Sequence, residues 1–268
     1  MEKARKHNVT IYNPAMCLLV LAWDVHPRYR VVLAANRDEF HQRPAAAMAW
    51  WPEPRMLAGR DLQAGGTWLA IGPDGRFGVI TNYRDLQGPL PGTPSRGQLI
   101  PEFLGSDASA MEFSNGLVPK LSRYSGFNLL VGDGAQLSYV ANRAPQPTRA
   151  LPPGVHGLSN HLLDTPWPKL VRTRARFEQL LADDRLSTDA LLAILTDRAP
   201  SQEYELPGSG LPPDLERALS APFIVNDRYG TRCSTILVVG RDGAVSMTEQ
   251  GYDERGEAIG RASFEFQA

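Results

Sequence analysis

Residues 16–39 read MCLLVLAWDVHPRYRVVLAANRDE. Two apolar runs, Cys17–Trp23 and Arg30–Ala35, have strand length. The second runs straight into Asn36-Arg37-Asp38-Glu39. Four polar residues, three of them ionisable, closing a buried strand cost free energy unless each finds a partner. The first run opens on Met16-Cys17. If synthesis starts at Met16, or the first sixteen residues are cut away, Cys17 becomes the first residue. Its thiol and its own α-amine then share one carbon framework, a nucleophile beside a base. A free α-amine titrates near ~7.7–8.0, so much of it is basic at neutral pH. Position alone leaves the alternative of an ordinary buried strand cysteine.

The turn signals around these runs are dense, with 24 glycines and 22 prolines in 268 residues, so many short strands are expected. Further candidates are Thr67–Ile71, Phe77–Asn82, Asn128–Gly132, Leu137–Ala141, Val155–Ser159, Ser234–Val239 and Ala244–Glu249. Gly72-Pro73-Asp74-Gly75 and Gly240-Arg241-Asp242-Gly243 read as hairpin turns. A helix is expected from Thr165 to Leu181, with Thr165 as N-cap and Pro166 at the first helical position. Ser187 or Asp189 opens another through Leu195, and Ala108–Leu117 and Asp214–Leu219 are two more. Strands at both ends with helices between them predict an α+β layered fold, not alternating βαβ units.

Composition narrows the function classes. A formal net charge of -1 offers no clustered basic face, so no nucleic-acid partner is expected. No apolar run approaches a membrane span. Two cysteines cannot build a disulfide framework, and five scattered histidines do not suggest a zinc site, so no metal is expected. The opening MEKARKHNVTIYNPA lacks the apolar core of a secretory signal. Residues 1–15 read as a disordered leader or a misassigned start, residues 16–268 as a single domain, and the cytoplasm as the compartment. Oligomeric state is open.

A cysteine amidohydrolase needs a thiolate, a proton acceptor, a group that orients the acceptor, and donors for the oxyanion. Cys17 is the nucleophile candidate, and Asp38 can hold its amine. Asn82 ends one predicted strand and Asn160 follows another, and both offer amide donors that do not titrate, although each is also an ordinary turn residue. Arg232, at the start of another strand, can favour the thiolate or bind a substrate carboxylate, or serve as a structural ion pair. Cys233 is expected on the opposite face from Arg232, as a packing residue.

Met16-Cys17, Asn36-Arg37-Asp38-Glu39, Gly65-Gly66-Thr67-Trp68, Thr81-Asn82-Tyr83-Arg84, Ser95-Arg96-Gly97, Gly126-Phe127-Asn128, Leu158-Ser159-Asn160, Trp167-Pro168-Lys169 and Tyr229-Gly230-Thr231-Arg232 follow in order. Together they resemble the NRDE family, also called the Transport and Golgi organisation 2 family, from about residue 16 to the C-terminus. That family in turn resembles the N-terminal-nucleophile hydrolases of the penicillin V acylase and bile-salt hydrolase group. The resemblance implies a four-layer αββα sandwich of two antiparallel sheets. It implies Cys17 as nucleophile, Asp38 at its amine, Asn82 and Asn160 on the oxyanion side, and Arg232 beside the thiol. Arg37 has no counterpart, because the group's other arginine precedes its Asn, where this chain has Ala35.

The expected activity is therefore that of a cysteine amidohydrolase, cutting non-peptide C–N bonds, or an acyltransferase, on a small acyl amide or ester. No cofactor is expected for it, and Arg37, Trp68 and Tyr83 are the substrate-binding candidates. Trp50, Trp51, Trp68 and Trp167 are candidates for an apolar acyl pocket or for core. The alternative is a non-catalytic carrier of haem, lipid or acyl-CoA on the same scaffold. Cys17, His156 and His161 are then the possible haem ligands.

Overall fold

The computed structural model describes residues 17–85, 92–183 and 185–268. The expected leader lies outside them. Among the described residues the chain forms β1 (Cys17–Trp23), β2 (Tyr29–Phe40), β3 (Ala45–Trp51), β4 (Met56–Asp61), β5 (Leu69–Ile71), β6 (Phe77–Asn82), β7 (Phe127–Gly132), β8 (Leu137–Ala141), β9 (Thr148–Ala150), β10 (Gly154–Leu158), β11 (Tyr229–Gly240), β12 (Ala244–Tyr252) and β13 (Ala258–Gln267). The helices are α1 (Leu99–Leu104), α2 (Ala110–Leu117), α3 (Pro168–Ala182), α4 (Thr188–Leu195) and α5 (Pro213–Ala218).

The strands build two antiparallel sheets. One has the order β10-β1-β2-β11-β12-β13; the other is a meander from β3 to β9 in chain order. Burial on both faces explains why β1 and β2 are continuous apolar runs with no polar alternation. Leu19, Leu21, Trp23, Val31 and Leu33 point into the core between the sheets, with Leu57, Leu69 and Leu130 opposite. Leu18, Val20, Val32 and Ala34 point outward, onto Leu170 and Phe177 of α3 and Leu191 and Leu195 of α4. The outer face of the second sheet packs Ala70, Leu129 and Val131 against Ile100 and Phe103 of α1 and Ala110 of α2. Helix, sheet, sheet and helix make the α+β sandwich in four layers.

Local chemistry sets the ends of these elements. Gly75 and Gly243 take φ of 80° and 85° in the two expected hairpins, a backbone region that favours glycine. Ser109 and Glu112 form a reciprocal capping box at α2. The α3 helix begins later than expected: Pro168 is its first residue and Trp167 its N-cap. The Thr165 hydroxyl instead meets His161 Nδ1 at 2.9 Å. β2 also runs on through the polar tetrad to Phe40, so these four residues belong to the sheet and do not lead out of it.

Candidate functional site

Six strand ends converge at one end of the sandwich. They are the start of β1 at Cys17, the end of β2, the end of β10 before Ser159, the start of β11, the end of β6 at Asn82 and the start of β5 after Trp68. A pocket of about 320 Å³ opens there, lined among others by Cys17, Arg37, Glu39, Arg43, Asp61, Trp68, Asn82 and Arg96. Cys17 is partly exposed to it.

Strand alternation divides the tetrad between two environments. Arg37 pairs in register with Cys17 and shares its face, between the sheets. Its guanidinium stacks over the Trp68 ring at 4.4 Å. It stands 3.7 Å from Asp61 and 4.0 Å from Glu39. Arg43 joins the same network, with Nε 2.7 Å from Asp61 Oδ2 and 3.7 Å from Glu39. Asn36 and Asp38 point the other way, into the helix layer. Asn36 donates to the carbonyls of Leu195 and Pro222, both at 2.9 Å, and accepts from Ser234. It ties loops to the sheet.

Asp38 is 1 % exposed and accepts from the Thr231 hydroxyl at 2.7 Å, while Thr231 accepts from Ile224 N–H. Lys169, on the first turn of α3, is buried on the same side. Among the described residues, Asp38 Oδ2 and Lys169 Nζ are both buried and have no hydrogen-bond partner. Burial pushes the Asp38 carboxyl up, and the Lys169 charge opposes that shift. Burial likewise pushes the Lys169 ammonium down, and the Asp38 charge opposes it. The Cys17 thiol is pushed up to about 12, first by burial and then by the Asp38 charge. The Asp38 backbone N–H and the Arg37 charge act in the opposite direction. Such a thiol holds its proton at neutral pH, so nucleophilic attack needs a base at the sulfur.

Asn82 lines the pocket, while Asn160 is fully buried behind it. Asn160 Nδ2 donates to Asn82 O at 3.0 Å, and Arg84 N–H donates to Asn160 O at 2.8 Å. The two asparagines therefore form one unit across the sheets. Asn128 braces it: its amide donates to Thr81 Oγ1 and His161 O, and its carbonyl accepts from Tyr139 Oη at 2.6 Å. Tyr83 packs on His161, with ring centroids 5.2 Å apart, and is not part of the pocket lining. Of the candidate tryptophans only Trp68 lines the pocket.

Arg232 does not reach the Cys17 pocket. Thr231 opposes Asp38 and Cys233 opposes Arg37, so Arg232 is the extra residue of a β-bulge. Its Nη1 donates to the carbonyls of Phe40 and His41, both at 3.0 Å, closing the turn after β2. Arg37 and Arg96 are guanidinium groups coupled to the charge on Cys17. Cys233 is buried beside Glu249, in register with Arg37.

The possible haem ligands do not converge. Both His156 ring nitrogens are engaged, 3.1 Å from Asp164 Oδ2 and 3.1 Å from Pro152 O. His161 sits between Tyr83 and Trp167 and does not line the Cys17 pocket. Among the described residues no three His, Cys, Asp or Glu side chains cluster to hold a metal ion. No described helix is long and apolar enough to cross a membrane.

Lys169, Thr231 and Arg96 lie at the site without having been singled out by residue type. Each stands in a quoted motif, which was the one signal available. The chain as a whole has counterparts elsewhere. The sequence model described as Transport and Golgi organisation 2 matches residues 16–254. The chain is 36 % identical over 258 residues to the Transport and Golgi organization protein 2 homolog of Bos taurus, covering 88 % of this chain and 92 % of the relative. The Homo sapiens homolog is 35 % identical over 258 residues, with the same coverage of both. Transport and Golgi organization protein 2 of Drosophila melanogaster is 26 % identical over 276 residues, covering 90 % and 95 %. The chain belongs to the Transport and Golgi organisation 2 family.

Proposed function

We propose that this protein is a cysteine N-terminal-nucleophile amidohydrolase or acyltransferase acting on a small acyl amide or ester. The observation that carries the reading is a partly exposed thiol at the first position of β1, facing a polar pocket, with a buried carboxylate beneath it that has one oxygen without a hydrogen-bond partner among the described residues. An α-amine on Cys17 is the donor that Asp38 lacks.

In the reaction the Cys17 sulfur attacks the acyl carbonyl, and its proton passes to the α-amine. A C–S bond forms and the carbonyl becomes an oxyanion, met by the Asn82 amide and backbone N–H groups. Collapse breaks the C–N or C–O bond, and the leaving group takes the proton from the amine. Water or a second amine then cleaves the thioester, with the α-amine again acting as base. Asp38 holds the amine, Asn160 holds Asn82, and Arg37 favours negative charge on sulfur. Trp68 carries Arg37 on its ring face. In this scheme Arg232 acts at a distance, by fixing the turn that carries Arg43.

The carrier reading receives less support, because its three ligand candidates face separate surroundings. Intact mass of the protein expressed from its native gene tests the proposal. A chain starting at Cys17 is expected, since only that form has the amine base. A mass that retains the preceding residues overturns the scheme.

A further inference from the structure

Three motifs meet at one wall of the Cys17 pocket: Gly65-Gly66-Thr67-Trp68, Ser95-Arg96-Gly97 and Gly126-Phe127-Asn128. Thr67 N–H donates to Gly97 O at 3.1 Å. A Cβ on Gly66 would lie 2.5 Å from the Gly97 carbonyl carbon, and one on Gly97 would lie 2.9 Å from Thr67 O. Neither position accepts a side chain, because two backbones cross in direct contact. Gly126 O accepts from Arg96 Nη1 at 2.8 Å. The glycines of all three motifs therefore serve one outcome: Arg96 is laid along the pocket wall and held there.

The ion pairs around the pocket leave one guanidinium out. Glu39 and Asp61 are answered by Arg37 and Arg43. Asp38, facing the other side, is answered by Lys169. Arg96 is left over. Its hydrogen bond goes to a neutral carbonyl, and among the described residues no carboxylate stands within ion-pair distance of it. It lies close enough to Cys17 and Glu39 for their charges to act on it. Arg37 Nη1 is also buried with no hydrogen-bond partner among the described residues. A half-buried guanidinium with no carboxylate at ion-pair distance is open to an anionic ligand, and a guanidinium fork matches a carboxylate. At about 320 Å³ the pocket is at the small end for ligand sites, and Trp68 and Ile80 are its main apolar side chains. A long acyl chain does not fit that description.

We propose that the Cys17 pocket takes a small acyl substrate carrying a carboxylate a few bonds from the scissile carbonyl, and that Arg96, with Arg37 beside the thiol, binds that carboxylate. This rests on Cys17 being the nucleophile, so the test must separate the two claims. The full chain is alkylated with iodoacetate and, separately, with neutral iodoacetamide. Rates at Cys17 are followed by peptide mass and divided by those of N-acetylcysteine at the same pH. The iodoacetate preference is expected to exceed that of the free thiol by about tenfold, the size of a charge-assisted contact. Arg96→Gln should return the ratio of the two rates to the free-thiol value, whatever it does to each rate alone, and Arg96→Lys should keep part of the preference. A wild-type preference equal to that of N-acetylcysteine overturns the proposal without any variant having to fold. So does a raised preference that survives in Arg96→Gln. Failure of both reagents at Cys17 removes the nucleophile reading itself, and the substrate class with it.

Discussion

The two ends of the β1–β2–β11 sheet are built from opposite materials. At the Cys17 end, Arg37, Asp38, Glu39, Thr231 and Lys169 are all buried around a pocket of about 320 Å³. At the other end, beyond Tyr29 and the Gly240–Gly243 turn, a wider hollow of about 920 Å³ is lined by Tyr29, Leu191, Val238, Val245 and Phe266. The charges near that end pair in the ordinary way of a surface, as Arg241 does with Asp24 at 2.7 Å. Size alone favours the wide hollow. Chemistry favours the narrow pocket, where Arg37, Asp38 and Lys169 are buried as whole residues and each keeps a polar atom with no hydrogen-bond partner among the described residues, whereas Asp24, with one such atom at the other end, is a third exposed and faces Arg241. Folding tolerates such atoms where something else is to meet them, so the expense of burial marks the site better than volume does.

The largest expected effect tests that contrast directly. Cys17→Ala should abolish acyl transfer while moving the thermal midpoint by only a few degrees, because the side chain is small and opens its strand. Phe266→Ala, in the wide hollow, should leave turnover on the same substrate within about twofold. Turnover and calorimetry on both variants check the pair of expectations, and the contrast breaks if Phe266→Ala is the one that stops the reaction.

Lys169→Met comes next. It leaves Asp38 as an uncompensated buried charge and should cost about 3–5 kcal/mol in urea unfolding. The double variant Lys169→Met with Asp38→Asn should lose less than the sum of the single losses, because each single change strands the partner of the other. Additive losses would mean that the two buried charges do not act on one another, and the narrow end would then resemble the wide one.

How much of this could be read from the chain follows from the same physics. β1, β2, β6 and β7 were legible because a four-layer fold buries both faces of a central strand, leaving unbroken apolar runs. The edge strand β13 was not. Ala258–Gln267 offers only Ala262, Phe264 and Phe266 to the core, and Ser263 and Glu265 lie between them. β3 and β4 were hidden by alanines and by the prolines at 52 and 54. At the site, Cys17 and Arg37-Asp38-Glu39 were legible because polar residues in a buried strand require partners. Asn36 stood out for the same reason, but its partners are structural. Arg232 shows the limit of counting by alternation: one bulged residue turns its side chain from the pocket to the turn carbonyls. The placing of Arg96 and Lys169 against Cys17 depends on chain crossings between distant segments, which no local spacing records.

The smallest effect belongs to an ion pair that lies at neither end. His156 on β10 faces Asp164 at 3.1 Å, and Asp164 also accepts from Gly157 N–H at 2.8 Å. Burial alone would lower the His156 pKa, but the Asp164 hydrogen bond and charge overcome it and raise the value above the ordinary 6.5. For Asp164 burial pushes upward, but the His156 and Gly157 hydrogen bonds prevail and hold its carboxyl below 3.8. The histidine contribution to stability is thus complete below 6.5 and fades as pH rises through the folded value. The aspartate contribution is complete above 3.8 and fades as pH falls through its folded value. Their joint contribution is therefore greatest between those two ordinary values. Asp164→Asn should lower stability at pH 5 by about 1 kcal/mol or less, because the carboxylate is a third exposed and solvent screens it. The loss should shrink toward pH 8, and the His156 titration followed by NMR should move down. The Cys17 alkylation rate should not change with it. If that rate does fall, the polar network of the narrow end extends along β10 as far as Asp164, and the boundary between the two ends of the sheet must be drawn further from Cys17.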